Sequence, residues 1–291
     1  MSIFESSMEK VKLIECPRDA MQGWKQPITT ADKIRYLRTL LRVGFDSLDC
    51  GSFVSHKAIP QMADTAQVIE AIGPFKEQTK LSVIVANVRG AEMACAFSEV
   101  DVLGYPFSIS ENFQMRNTGK SIQESLGVLE QIRNQVEQKQ KDLVLYLSMG
   151  FGNPYGDPWH PDIIMEWVYR LCELGIRTFS LSDTIGKSTP QVIKDVFSTL
   201  VPAFPEVEFG AHFHTTPLQA KEKIQAAYQS NCRRYDGAIR GVGGCPMAQD
   251  ALVGNMPMEA LITFFTAKKC THGLQLLHFE SAYNEALNLF Q

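Results

Sequence analysis

The 291-residue chain has no CxxC pair, no basic run and no uninterrupted apolar stretch of membrane-spanning length. Each absence excludes something. The seven cysteines (Cys16, Cys50, Cys95, Cys172, Cys232, Cys245 and Cys270) are scattered and odd in number. They read as reduced, mostly buried thiols of a cytoplasmic protein. A net charge of -4 without a basic stripe gives no reason to expect nucleic acid. No membrane span is expected, since one needs roughly 20 apolar residues in a row. Met1-Ser2-Ile3-Phe4-Glu5 lacks the basic region and apolar core of a secretory signal, and Asn288-Leu289-Phe290-Gln291 carries no targeting tripeptide.

What is present is an ordinary globular composition, 45% hydrophobic and 10% aromatic. Short apolar, β-branched runs alternate with helical periodicity. Strands are expected at Val11–Glu15, Phe45–Cys50, Leu81–Ala86, Glu99–Leu103, Leu143–Met149, Arg177–Leu181, Val207–Phe213 and Tyr235–Ile239. Pro17 to Thr30 reads as a polar loop. Helices are expected from Thr30 to about Val43, from about Gln61 to Ile72, and over Gly90–Phe97, Ser121–Gln140, Asp162–Leu174, Gln191–Leu200, Leu218–Ser230, Met258–Lys268 and Ala282–Leu289. Eight strands with a helix after most of them predict an α/β fold, a (β/α)8 TIM barrel, in one catalytic domain. The barrel would span about residues 11–262 and a helical extension about residues 263–291. The rival is an open doubly wound sheet, but no Gly-rich dinucleotide loop follows the first strand.

Phe209-Gly210-Ala211-His212-Phe213-His214 closes the seventh strand. Side chains alternate along a strand, so His212 and His214 share a side. Such a barrel does its chemistry at the C-terminal strand ends. Arg18-Asp19, Gln22 and Lys25 follow strand one. Asp49 ends strand two, with Ser52 and Ser55 after it. Asn87 and Arg89 follow strand three, Ser182-Asp183-Thr184 strand six, and Gly243-Gly244-Cys245 and Asn255 strand eight. Two imidazoles, a carboxylate (Asp19 the best candidate) and an amide oxygen (Asn255) would hold a divalent ion with water positions open, Mg²⁺ or Mn²⁺ rather than structural zinc. An HxH also occurs as two hydrogen-bonded imidazoles; the Arg-Asp pair on the same barrel face tips the balance toward a site. Arg18 could stabilise an enolate or clamp a carboxylate. Asp49 could orient Arg18. Asp183 could accept from Arg18 or a substrate hydroxyl, or cap a helix. Cys245 could act as an acid. His56 could line the pocket; His160, His272 and His278 have no partners at useful spacing.

Six stretches, Glu15 to Gln22, Ser52-Phe53-Val54-Ser55, Pro60-Gln61-Met62, Asp183-Thr184-Ile185-Gly186, His212-Phe213-His214 and Gly243-Gly244-Cys245-Pro246, together resemble the 3-hydroxy-3-methylglutaryl-CoA lyase family in order and approximate spacing. The Arg-Asp and HxH elements are shared with the wider metal-dependent TIM-barrel lyases and synthases; Ser-Phe-Val-Ser and Gly-Gly-Cys-Pro point to the lyase branch. The resemblance implies cleavage of the acyl-CoA to acetyl-CoA and acetoacetate. It implies Asp19, His212, His214 and Asn255 as metal ligands, and Arg18, Asp49, Asp183, His212 and Cys245 as catalytic residues. Gln22, Lys25, Ser52, Asn87 and Thr184 are expected on the substrate, with Lys25 and Asn87 matching positions that hold CoA. The hydroxyl proton would go to His212 or Asp183, and the enolate carbon would be protonated by Cys245 or His212. A homodimer is mildly favoured. The chain departs from the family pattern at Asp49 (usually Glu), Thr215 (an Asp after the HxH) and Asn153 (a Cys), and by one extra residue before Asn255. These departures bear on the substrate more than on the reaction type. The alternatives are a relative acting on another hydroxyacyl-CoA or a 4-hydroxy-2-oxo acid, and a barrel that only binds CoA.

Overall fold

The structure, a computed structural model, describes residues 9–244 and 253–291. The strands β1 (Lys12–Glu15), β2 (Ser47–Ser52), β3 (Lys80–Ile84), β4 (Val100–Ser108), β5 (Asp142–Ser148), β6 (Thr178–Asp183), β7 (Glu208–Phe213) and β8 (Arg234–Gly237) pair in parallel, each with the next. β8 returns to β1 and closes the barrel. Between and after them lie α1 (Pro17–Gln22), α2 (Thr30–Leu41), α3 (Thr65–Ile72), α4 (Val88–Cys95), α5 (Glu111–Thr118), α6 (Ile122–Gln138), α7 (Pro161–Glu173), α8 (Pro190–Ala203), α9 (Pro217–Gln229), α10 (Met258–Ala267) and α11 (Leu276–Leu289). The helices start where local chemistry allows. Proline stands in the first turn of α1, α7, α8 and α9, where its missing N–H costs nothing. Ser121 and Glu124 cap α6 reciprocally.

Strand alternation divides the interior in two. Leu145, Leu147, Phe179 and Leu181 face the helices and are fully buried. Each such side chain contributes about 1.5–3 kcal/mol by burial. The positions between them face the barrel axis. On β3 to β5 Ile84, Val102, Val144 and Tyr146 form an apolar cluster of their own, with Ser82 and Ser148 on the same faces. On β6 to β8 Ser180, Ser182, His212, Arg234 and Asp236 are polar or charged, with Gly210 between them, and β1 adds Lys12 and the apolar Ile14.

Three expectations are corrected. The segment after β1 is not a loop throughout, because Pro17 opens α1 immediately and Arg18, Asp19, Ala20 and Met21 are buried. β4 does not stop at Leu103 but runs to Ser108, through Gly104 and Pro106. α11 begins six residues before Ala282, and α5 stands where no element was expected.

A buried ion pair fastens the top of the barrel. Lys223 on α9 donates to Asp183 Oδ2 (2.6 Å), Gly186 O (3.0 Å) and His214 O (3.1 Å), which uses all three ammonium protons. Asp183 also accepts from the Ser188 N–H and hydroxyl. Removing one partner of such a pair leaves a charge stranded. Lys223→Met is therefore expected to lower unfolding free energy by about 3–5 kcal/mol. Adding Asp183→Asn should recover part of that loss. Urea denaturation of both variants checks this; equal losses would mean that the carboxylate was not the stranded group.

Glu15 is the opposite case. Its Oε1 accepts the Ile239 N–H (2.9 Å), while Oε2 is buried with no partner. Burial pushes its pKa well above the usual carboxylate range, helped by Glu259. A raised pKa in the folded state means stability present below about pH 4.5 and lost as pH rises through the folded value. Glu15→Gln keeps the acceptor and removes the titration. It should raise stability at pH 8 by about 1 kcal/mol or more, with little effect at pH 4. Thermal melts at the two pH values read the difference.

Candidate active site

α1 begins so directly after β1 that Arg18, Asp19 and Gln22 are set over the C-terminal mouth of the barrel. Arg18 is gripped by two carboxylates. Its Nε and Nη2 donate to Asp49 Oδ2 at 3.0 and 2.6 Å, and its Nη1 to Asp19 Oδ1 at 2.9 Å. Burial works against the guanidinium charge, but Asp49 and Asp19 outweigh it and the pKa rises. Burial also pushes Asp19 up, yet Arg18, His212 and His214 together bring it below its ordinary value. For Asp49 burial wins over Arg18 and the pKa is raised.

Asp19 is held from both sides. Oδ1 accepts from Gln22 Nε2 (2.7 Å) and Oδ2 from Asn255 Nδ2 (2.8 Å). Asn255 reaches it because its backbone forms an antiparallel bridge with His214. Gly243 leans on the same spot: a Cβ there would lie 2.6 Å from Asn255 Nδ2 and 2.8 Å from Asp19 O, and its φ is +105°. Only glycine fits that approach.

The two imidazoles are locked by different partners. His214 Nδ1 lies 3.0 Å from Thr184 O, and a carbonyl only accepts, so Nδ1 carries the proton. Burial and the neighbouring His212 pull the His214 pKa down to about 4, which keeps the ring neutral near pH 7. Among the described residues its buried Nε2 lone pair then has no hydrogen-bond partner, and it lies 3.9 Å from Asp19 Oδ2. His212 Nδ1 faces Asp236 Oδ2 at 3.2 Å. Burial opposes the His212 cation, but Asp236 prevails and the pKa is raised. One ligand atom each from Asp19, His212 and His214 fall within 4.8 Å of one another. Two nitrogens and a carboxylate oxygen, one of them an orphaned buried lone pair, fit an octahedral divalent ion.

These residues line a cavity of about 420 Å³. Val54, Ile84, Pro106 and Tyr146 form its apolar side. A larger cleft of about 720 Å³ lies outside the barrel between α9 and α10 and touches none of this chemistry.

The other predicted residues divide. Gln22, Asn87 and Thr184 line the cavity. Asn87 also caps α4, accepting the Gly90 N–H at 2.8 Å. Ser52 is buried behind the lining, its N–H on Thr65 Oγ1, and Ser55 takes its place at the wall. Lys25 is exposed after α1 and is not among the lining residues. His56 is exposed too. Asp183 is turned the other way: Ser182 and Thr184 face the cavity, so the residue between them faces Lys223. Its carboxylate is an anchor and not a base. Asn255 presents its nitrogen to Asp19, with the other amide proton on Val242 O at 2.8 Å, so an oxygen ligand requires the amide to turn over. Cys245 lies outside the described residues. Sequence reasoning missed Asp236 and Tyr146. Tyr146 meets the His212 ring edge-on with centroids 5.6 Å apart. The signal for Asp236 was a carboxylate in a short barrel strand, and the register places it directly across from His212.

Comparison with known proteins finds relatives along most of the chain. A family model described as HMGL-like matches residues 10–285. The rat cytoplasmic 3-hydroxy-3-methylglutaryl-CoA lyase is 33% identical over 271 residues, 92% of this chain and 78% of that protein. A 3-hydroxy-3-isohexenylglutaryl-CoA/hydroxymethylglutaryl-CoA lyase of Pseudomonas aeruginosa is also 33% identical, over 92% of this chain and 89% of its own. The solved HMG-CoA lyase of Acinetobacter baumannii, in complex with coenzyme A and 3-methylmalate, superimposes with a TM-score of 0.88 at 26% identity, covering 100% of this chain and 93% of that one. With its closed barrel, its strand-end site and a family match over nearly its whole length, the chain belongs to the HMGL-like family.

Proposed function

We propose that this chain is a divalent-metal-dependent carbon–carbon lyase that cleaves 3-hydroxy-3-methylglutaryl-CoA to acetyl-CoA and acetoacetate. The observation that carries the reading is the convergence of Asp19, His212 and the orphaned His214 Nε2 beside a doubly held Arg18. It is supported by relatives that bear the activity in their names. Asp19, His212 and His214 would hold Mg²⁺ or Mn²⁺, with Asn255 joining if its amide turns over. A bound ion of this kind supplies charge that acidifies a nearby hydroxyl.

The chain's own residues do the rest. Nε2 is the only ring nitrogen of His212 left for the cavity. One lone pair cannot hold an ion and accept a proton at once, so we give His212 the two roles in succession: ligand in the resting site, then acceptor of the proton on the substrate's tertiary hydroxyl. As the oxygen forms the ketone of acetoacetate, the C–C bond breaks and its electron pair passes to the acetyl-CoA enolate. Arg18, fixed by Asp49, donates to that oxyanion. The enolate carbon then takes a proton from His212 or from the Cys245 thiol. Gln22, Asn87 and Thr184 surround the substrate; Lys25 would bear on CoA only at the rim. Ser52 supports the wall from behind.

The apolar side formed by Val54, Ile84, Pro106 and Tyr146 favours a second reading, a 3-hydroxy-3-alkylglutaryl-CoA with an arm longer than methyl. A cytoplasmic location and a homodimer belong to the same proposal. Six described cysteines are free, and no described helix is long and apolar enough to cross a membrane.

Acetyl-CoA release from 3-hydroxy-3-methylglutaryl-CoA with Mn²⁺ tests the reading. Arg18→Gln should lower kcat by about 10²–10³-fold, the cost of one oxyanion donor, with a cooperative melting transition still present but at lower temperature, since Asp49 loses its partner. EDTA should abolish turnover and Mn²⁺ restore it. A folded, Mn²⁺-loaded enzyme that cleaves neither this substrate nor a longer 3-alkyl homologue would overturn the assignment.

A further inference from the structure

The inward positions of β7 and β8 form a column below the site. In register, Gly210 lies across from Arg234 and His212 across from Asp236. Arg234 has room because Gly210 has no side chain: a Cβ there would sit 2.8 Å from Arg234 Cδ. Arg234 lies 3.9 Å from both Asp236 Oδ1 and Glu208 Oε2, and Glu208 is paired with Lys12 at the bottom. Signs alternate up the column, from Lys12 through Glu208 and Arg234 to Asp236.

Asp236 is the top of this column, and its side chain is fully shielded from solvent. Its Oδ2 accepts the Ser180 hydroxyl at 2.6 Å and faces His212 Nδ1 at 3.2 Å. Asp236 is not among the residues that line the cavity. A carboxylate fixed by the Ser180 hydroxyl, with the Arg234 guanidinium 3.9 Å away, and placed against one imidazole nitrogen sets both the ring's plane and its tautomer.

The geometry points to Asp236 as the positioning residue of this site, holding the His212 ring so that Nε2 is presented beside Asp19 and His214. His214 obtains the same result from the Thr184 carbonyl, a neutral acceptor. His212 alone of the pair is backed by a carboxylate, which makes its Nε2 the stronger donor to a cation. This inference rests on the metal-site reading above.

The test is Mn²⁺ binding to the full-length, substrate-free chain, followed by calorimetry and by the manganese electron paramagnetic resonance signal, with melting in EDTA as the folding control. Asp236→Asn should weaken Mn²⁺ binding about 10–100-fold, the usual cost of losing such a partner. Glu208→Gln, in the same column but far from the imidazole, should bind Mn²⁺ within about threefold of the parent, against the same scale. If Asp236→Asn does not fold, Ser180→Ala takes its place: it keeps the carboxylate but frees its orientation, and should fall between the other two. Unchanged affinity in a folded Asp236→Asn, or in Ser180→Ala where that stands in, overturns the inference while leaving the metal site intact. An equal loss in Glu208→Gln overturns it too, as a general effect of disturbing the column. A parent chain that takes up no Mn²⁺ defeats the metal reading and this inference together.

Discussion

Everything at the mouth of this barrel follows from the two-residue repeat of a β-strand. Once β7 is placed, His212 and His214 must face the axis and Phe213 must face the helices. The parallel register then extends the rule sideways. Ser182 lies beside His212 and faces in; Asp183 lies beside Phe213 and faces out. Asp236, across from His212, faces in. A slip of one residue would exchange all of these at once, burying imidazoles among helices and putting a phenyl ring in the cavity. The antiparallel bridge from His214 to Asn255 and the Lys223 bond to His214 O hold the strand end in place.

Charge balance gives the site its second constraint. The column beneath it carries Lys12, Glu208, Arg234 and Asp236, two positive and two negative groups that compensate locally. The mouth is different. Arg18 faces two carboxylates, Asp19 and Asp49, and the low pKa of His214 removes that ring as a source of positive charge. Buried carboxylate in excess of buried cation is costly unless something positive completes it. Burial raises the Asp49 pKa against the pull of Arg18, and among the described residues His214 Nε2 has no hydrogen-bond partner. A divalent cation beside Asp19 would relieve both.

The legibility of this chain tracks how local each signal is. The barrel could be read because eight apolar runs and their helices are local patterns. The HxH pair and Arg18-Asp19 could be read because adjacent residues declare their own geometry. Applying the same alternation to Ser182-Asp183-Thr184 would have turned Asp183 away from the cavity, but its local motif looked like a site. Asp236 was hidden because its meaning depends on register with a strand two dozen residues earlier. α1 was hidden because six residues with two charges have little periodicity, and what makes them a helix is burial against the barrel mouth. β4 runs on past the expected Leu103 because β3 still pairs at Gly104 and β5 supplies partners as far as Ser108.

The departures from the family pattern can be weighed by what the geometry asks of them. Asp49 is one methylene shorter than the usual glutamate, yet it reaches Arg18 with both Nε and Nη2 in bonding range. The pairing of β2 with β3 slips between Asp49 and Gly51, an irregularity of the kind that re-aims a strand beside a site. Thr215 stands where a carboxylate would follow the HxH. Among the described residues Thr215 is already satisfied: it is buried, its N–H is on Gly254 O, and its hydroxyl donates to Thr216 O. The nearby ammonium of Lys223 is already saturated by Asp183 and two carbonyls. An additional carboxylate at residue 215 would be a second buried anion that Lys223 has no proton left to meet. The missing charge is thus consistent with an intact ligand set, and the pressure of these substitutions falls on what the cavity admits and not on whether Asp19, His212 and His214 can act together.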